Sequence, residues 1–134
     1  MIQNKIVAHY QNGTLFKGIS NDFIPNKDFF RMALRDAKPG SQPVKLKITG
    51  LKALFFVKKY DGNPSYNEKK DFNPPGFLTG RKIKVLFKDG ELMVGTTNGY
   101  QPTRQGFFLI PADGNSNNNL CFVITSATRE VSLI

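Results

Sequence analysis

A pair of short apolar runs, a turn dipeptide between them and a glycine five residues beyond the turn occur twice in this chain. That recurrence most constrains the fold. Lys5-Ile6-Val7-Ala8-His9-Tyr10, Asn12-Gly13, Leu15-Phe16 and Gly18 return as Lys82-Ile83-Lys84-Val85-Leu86-Phe87, Asp89-Gly90, Leu92-Met93 and Gly95, an offset of 77 residues. The same offset continues without a gap. It pairs Asn21 with Asn98, Phe23 with Tyr100, Pro25 with Pro102, Lys27 with Arg104, Phe30 with Phe107 and Asp36 with Asp113. It ends by pairing Lys52 with Arg129 and Val57 with Ile134. Internal repeats of this kind are read before any other signal, because they set the unit that folds.

The repeated unit reads as β structure. A turn dipeptide between alternating apolar runs predicts a two-residue type I′ hairpin, which needs positive φ at both central positions. Gly18 and Gly95 inside strand patterns predict a bulge or sharp bend, of the kind that lets a short sheet curl. The segment Asp28-Phe29-Phe30-Arg31-Met32-Ala33-Leu34-Arg35 fits a short helix or a strand on periodicity. Its counterpart Gly106-Phe107-Phe108-Leu109-Ile110-Pro111 is too short, aromatic and proline-bearing for a helix, so a strand is expected in both. Two polar loops, residues 37–43 and 114–120, are expected at the surface. Each copy of about 53 residues then holds five short strands, a size that is marginal alone. The expected fold is all-β: two tandem small barrels of about five strands, related by internal duplication and packed together. The predicted units are residues 1–57, a linker over 58–81, and residues 82–134. Phe72, Phe77 and Leu78 are available to tack that linker down.

Twelve phenylalanines and 40% hydrophobic residues in 134 supply a core and exclude wholesale disorder. No stretch approaches the roughly 20 apolar residues that span a bilayer, and the first residues lack a secretory signal, so a cytoplasmic protein with no membrane insertion is expected. The single Cys121, between Leu120 and Phe122, cannot form an internal disulfide and reads as a small core residue. The net charge of +9 suits nucleic acid, anionic lipid or an acidic partner. However, Lys45 and Lys47, like Lys82 and Lys84, alternate with apolar residues, which is the solvent face of a half-buried strand.

Two resemblances follow from these residues. The pattern Val85, Phe87, Asp89-Gly90, Leu92, Gly95, then Phe122-Val123-Ile124 and Val131-Ser132-Leu133-Ile134, is similar to the Sm/LSm small barrel. In that family an aspartate and asparagine after strand two and an arginine-glycine pair near the last strands hold RNA bases. Here the corresponding loops offer Asn21-Asp22 or Asn98-Gly99, and Thr49-Gly50 or Ser126-Ala127, without the arginine. Across nearly the whole chain, Phe87-Lys88-Asp89-Gly90-Glu91-Leu92, Gly99-Tyr100, Gly106-Phe107-Phe108, Pro111-Ala112-Asp113 and Asn117-Asn118 resemble an uncharacterised bacterial family sometimes associated with PilZ signalling proteins. The cyclic di-GMP motifs of PilZ itself do not occur.

The sequence calls for no catalytic, metal or cofactor residues. His9 is the only histidine and lies in an expected strand. Nucleophile elbows, phosphate loops and clustered metal ligands are missing. The best ligand-binding candidates are the aromatic and cation of the shared loop, Phe23 and Lys27 in copy one, Tyr100 and Arg104 in copy two. A ring beside a cation stacks on a base or clamps a phosphate; the competing role is a ring that plugs a barrel end. The expected function is a non-enzymatic binding or regulatory module with a protein partner in a bacterial signalling context. The alternative is an Sm-like binder of RNA or single-stranded DNA. Edge strands are available for oligomerisation.

Overall fold

The computed structural model describes residues 4–72 and 80–134. Phe77 and Leu78 lie outside them. In chain order the strands are β1 Lys5–Tyr10, β2 Leu15–Ile19, β3 Phe29–Leu34, β4 Val44–Lys47 and β5 Leu51–Val57. After these come β6 Arg81–Phe87, β7 Leu92–Thr97, β8 Gly106–Pro111, β9 Asn118–Ile124 and β10 Thr128–Leu133. A single 3-10 turn, Thr125–Ala127, precedes β10, and no α-helix occurs among the described residues. The protein is therefore all-β, and the ambiguous Phe29–Leu34 segment is a strand.

Both hairpins differ from the expected type I′ form. Only the glycines take positive φ, +92° at Gly13 and +94° at Gly90. Gly13 donates to the Tyr10 carbonyl and Tyr10 to the Thr14 carbonyl, with the same pair of bonds made by Gly90 and Phe87. This is a three-residue loop ending in a left-handed glycine. The side chains explain the choice. Asn12 Oδ1 accepts from Thr14 N at 2.9 Å and Asp89 Oδ1 from Glu91 N at 3.0 Å, so each stays right-handed and caps its own turn.

Gly18 and Gly95 stand where the second and third strands of each half touch, and the pairing keeps its register there. β2 and β3 share two register pairs, Gly18↔Leu34 and Ile19↔Ala33, while the other end of β3 pairs with β4. β7 and β8 do the same through Gly95↔Pro111 and Thr96↔Ile110, and β8 then pairs with β9. A Cβ on Gly18 would lie 2.2 Å from the Ala33 carbonyl oxygen, and one on Gly95 would lie 2.0 Å from that of Ile110. Only glycine permits strands to approach this closely.

The strands do not close into two barrels. They form one open antiparallel sheet in the order β10-β6-β7-β8-β9-β5-β1-β2-β3-β4. The seam between the halves is β5 against β9, with Ala53↔Val123, Leu54↔Phe122 and Phe55↔Cys121 in register. The reason lies in side-chain matching. β5 has seven residues, six of them buried, so it needs cover on both faces. β4 has four residues with lysines facing out, whereas β9 has seven, and Cys121–Ile124 are all buried. The apolar strand therefore pairs with β1 along one edge and, along the other, with β9 across the halves rather than with β4 of its own half.

Described residues between β5 and β6 are bound to the second half. Lys58 N donates to the Asn117 carbonyl at 2.8 Å and Lys69 N to Asp113 Oδ2 at 2.8 Å. Tyr66 bonds the Asp113 carboxylate, and Ser116 bonds Glu68. Ser116 is consequently buried, while Gly114, Asn115 and Asn119 of the expected surface loop are exposed and β9 begins within it at Asn118. Phe72 stands under the Lys82 ammonium, 5.2 Å from its ring centroid.

Candidate functional site at the joint between the halves

The shared loop is built alike in each half. Pro25 presets a turn closed by Lys27 N to the Ile24 carbonyl at 3.1 Å, and Arg104 N to the Gln101 carbonyl closes its counterpart at 3.1 Å. The two aromatic candidates point inward. Phe23 packs edge-on to Phe30 at 5.6 Å and to Phe122 at 5.1 Å, and Tyr100 packs edge-on to Phe107 at 4.8 Å. Both rings are partly buried and pack against the core. Lys27 and Arg104 are exposed.

What the tertiary structure adds is the meeting of the two loops. Gln105 Nε2 donates to the carbonyls of Pro25 and Lys27, both at 3.3 Å, so the first half's loop is fastened to the second. Thr125 Oγ1 holds the Arg104 carbonyl at 2.9 Å. Between the loops and the outer face of β7, β8 and β9 lies a cavity of about 530 Å³. Phe108, Ile110, Leu120 and Phe122 form its apolar floor, and Asn26, Asn98 and Arg104 its polar rim. Thr97, buried beneath, steadies β8 by donating to the Phe108 carbonyl at 2.7 Å. Gly106 is needed at the floor, since a Cβ there would come within 2.6 Å of the Phe122 ring and the Val123 carbonyl oxygen.

Three of the exposed large hydrophobic side chains gather around this cavity or at its rim loop: Ile24 at 45%, Phe108 at 38% and Ile110 at 42%. Phe108 and Ile110 were not among the residues singled out from sequence. Phe107 to Ile110 is an unbroken apolar run, which reads as a strand buried on both faces. Only the missing cover on the outward face separates Phe108 and Ile110 from Phe107 and Leu109.

A second cluster of polar groups joins the halves near His9. Lys52 is buried on β5 and reaches the second hairpin, with Nζ 2.7 Å from Asp89 Oδ2, paired also with Glu91, and 4.7 Å from the Phe87 ring centroid. The hydrogen bond from Lys52 holds the Asp89 carboxyl below its ordinary value. Burial, then the charge on Lys52, pushes the His9 imidazole below 6.5. Cys121 is wholly buried, as expected, and burial raises its thiol well above the ordinary range, the opposite of an activated nucleophile. Among the described residues no group of three His, Cys, Asp or Glu side chains is placed to hold a metal ion, and no helix is long and apolar enough to cross a membrane.

Fold and site together define an all-β protein made of one open sheet, with an amphipathic groove where its halves meet. The chain belongs to a family of unknown function, DUF6982, whose model matches residues 2–134. No curated protein matches the chain, and no solved structure does.

Proposed function

We propose that this chain is a non-enzymatic binding module that takes a protein partner in the groove between its halves. The observation that carries this reading is the exposure of Phe108 and Ile110 on the floor of a cavity of about 530 Å³, rimmed by Asn26, Asn98 and Arg104. Apolar surface gathered in a concavity with a few polar groups at its edge marks a binding site. Its floor is apolar, with phenylalanine and aliphatic side chains together, and Arg104 is the one cation among the described residues lining it, a lining that suits an apolar side chain of a protein better than a nucleic-acid backbone. Of the sequence candidates, Arg104 lines the groove and Lys27 lies in the loop that Gln105 fastens, while Phe23 and Tyr100, partly buried, pack against the core. The resemblance to chains that accompany PilZ domains supports a partner in bacterial signalling. The recurrence of strand order in the two halves supports an origin by duplication, with an Sm-like unit as the ancestor.

The test is affinity capture from a bacterial lysate with wild type, Phe108→Ser and Leu15→Ser, Leu15 being an exposed apolar side chain on β2. A nuclease-resistant protein retained by wild type and Leu15→Ser, and reduced at least tenfold by Phe108→Ser, is expected. Equal capture by Phe108→Ser, or recovery of nucleic acid alone, refutes the reading.

A further inference from the structure

We propose a second binding surface on this chain, for single-stranded nucleic acid, on the outward face of the β3·β4 edge pair. It is separate from the groove and stands or falls independently of it. The alternation of the two strands sorts their side chains. Phe30, Met32 and Leu46 face the core at 6% exposure or less, while Phe29, Arg31, Lys45 and Lys47 are exposed.

The ladder sets Phe29 opposite Lys47 and Arg31 opposite Lys45. The four outward side chains therefore make a two-by-two block of three cations and one aromatic ring. Lys45 Nζ lies 4.2 Å from the Phe29 ring centroid, and Phe29 is 37% exposed. Lys27 joins the block around a shallow cavity of about 310 Å³, lined also by Phe29, Arg31 and Lys45.

Acidic groups in this cavity are Asp22 and Asp28. Asp22 is engaged by the structure itself, accepting from Arg31 N at 2.8 Å and from Ser20 Oγ at 3.1 Å. Its ion pair to the Arg31 guanidinium is long, 3.6 Å, and both side chains are exposed, so a phosphate can compete for the guanidinium. The block sits on an edge pair, β4 being the last strand of the sheet among the described residues.

Cations that track a backbone beside an exposed ring on which a base stacks are how proteins hold single strands without reading sequence. The ring distinguishes this surface from one suited to an acidic peptide. The ligand expected is an unpaired RNA or DNA segment with little base preference.

The probes are short oligo-U and oligo-dT, titrated by fluorescence anisotropy over a salt series. Contacts from Arg31, Lys45 and Lys47 predict a slope of log affinity against log salt of about −2, at about 0.7 per phosphate neutralised on a single strand. Arg31→Gln, Lys45→Gln and Lys47→Gln should each make the slope shallower by about 0.7. Phe29→Ser should weaken binding roughly tenfold with the slope unchanged, because it removes stacking and not charge. All four changes are at exposed positions, so unchanged thermal melts are expected. Phe108→Ser in the groove and Lys84→Gln on β6 should bind as wild type does. The proposal is overturned if the slope is flat, if it survives the three charge removals, or if polyglutamate binds as tightly as the oligonucleotides and shows the same dependence on Phe29.

Discussion

Lys52 shows how one residue's surroundings decide which substitution is costly. Its stem is buried, whereas Asp89 and Glu91 are 46% and 39% exposed, so the carboxylates stay hydrated if the lysine goes and the ammonium does not if they go. Lys52→Met, which keeps the stem over Phe87, is expected to cost about 1 kcal/mol. Asp89→Asn with Glu91→Gln should cost about 3 kcal/mol by stranding a buried cation. Urea unfolding of the two variants measures the order, and the reverse order would show that the network works in another way. His9 adds a pH dependence whose sign follows from its lowered folded value. The unfolded chain binds a proton at 6.5 and the folded chain only lower, so this stability is complete above pH 6.5 and is lost as pH falls from there through the folded value. Asp89, also lowered, contributes stability that is complete above 3.8 and lost at more acid pH. Stability measured from pH 8 to 5 should therefore fall below pH 6.5, and His9→Gln should remove that fall.

At the scale of elements, each half depends on one glycine that lets its second and third strands touch. Gly18→Ala and Gly95→Ala drive a Cβ into backbone oxygen, where no side chain can move aside. Each is expected to destabilise by at least about 2 kcal/mol. Gly114→Ala, with nothing within 4 Å of the added carbon, should be nearly neutral. Thermal melts of the three proteins decide the matter, and a stable Gly95→Ala would mean that the strands approach less closely. These two glycines were legible in sequence because they interrupt strand patterns at the same place in each copy. The hairpin type was not, because Asn-Gly and Asp-Gly serve several turns, and the bond from the Asn or Asp side chain to the backbone selected one.

For the whole molecule, the β5·β9 seam makes the halves interdependent. Leu54, Phe55, Cys121 and Phe122 lie in it, all at 7% exposure or less. Residues 1–57 or 80–134 expressed alone should lack a cooperative unfolding transition, and mixing the two should restore it. A cooperative melt from either half alone would refute this. The free edges, β4 and β10, stand at the offset of 77 from β9 and β5. Where β9 has Phe122, β4 has Lys45, and where β5 has Phe55, β10 has Ser132. A second chain continuing the sheet in the same register would set Lys47 against Arg129. Charged, short edges of this kind oppose sheet growth. Light scattering should therefore give a particle near 15.0 kDa. Lys45→Phe with Lys47→Val and Ser132→Phe should raise the mass in a concentration-dependent way. A wild-type dimer or ring would overturn this reading.

Local chemistry was enough to determine the strands, the positions of the turns, the buried thiol of Cys121 and the outward lysines, because alternation and glycine act through near neighbours. The joining of the halves was decided by tertiary structure alone. Whether the second edge of β5 pairs with β4 of its own half or with β9 depends on which distant strand better matches its apolar run, a comparison between residues some 70 positions apart in sequence. The same holds for the site. In sequence, Phe23 and Tyr100 suit either binding rings or plugs of a barrel end, and the fold packs each, partly buried, against the core. Phe108 and Ile110 carried no local signal that would set them apart from Phe107 and Leu109, yet the fold leaves their face uncovered. Burial is a property of what lies across the fold, and a run of residues carries no record of its opposite face.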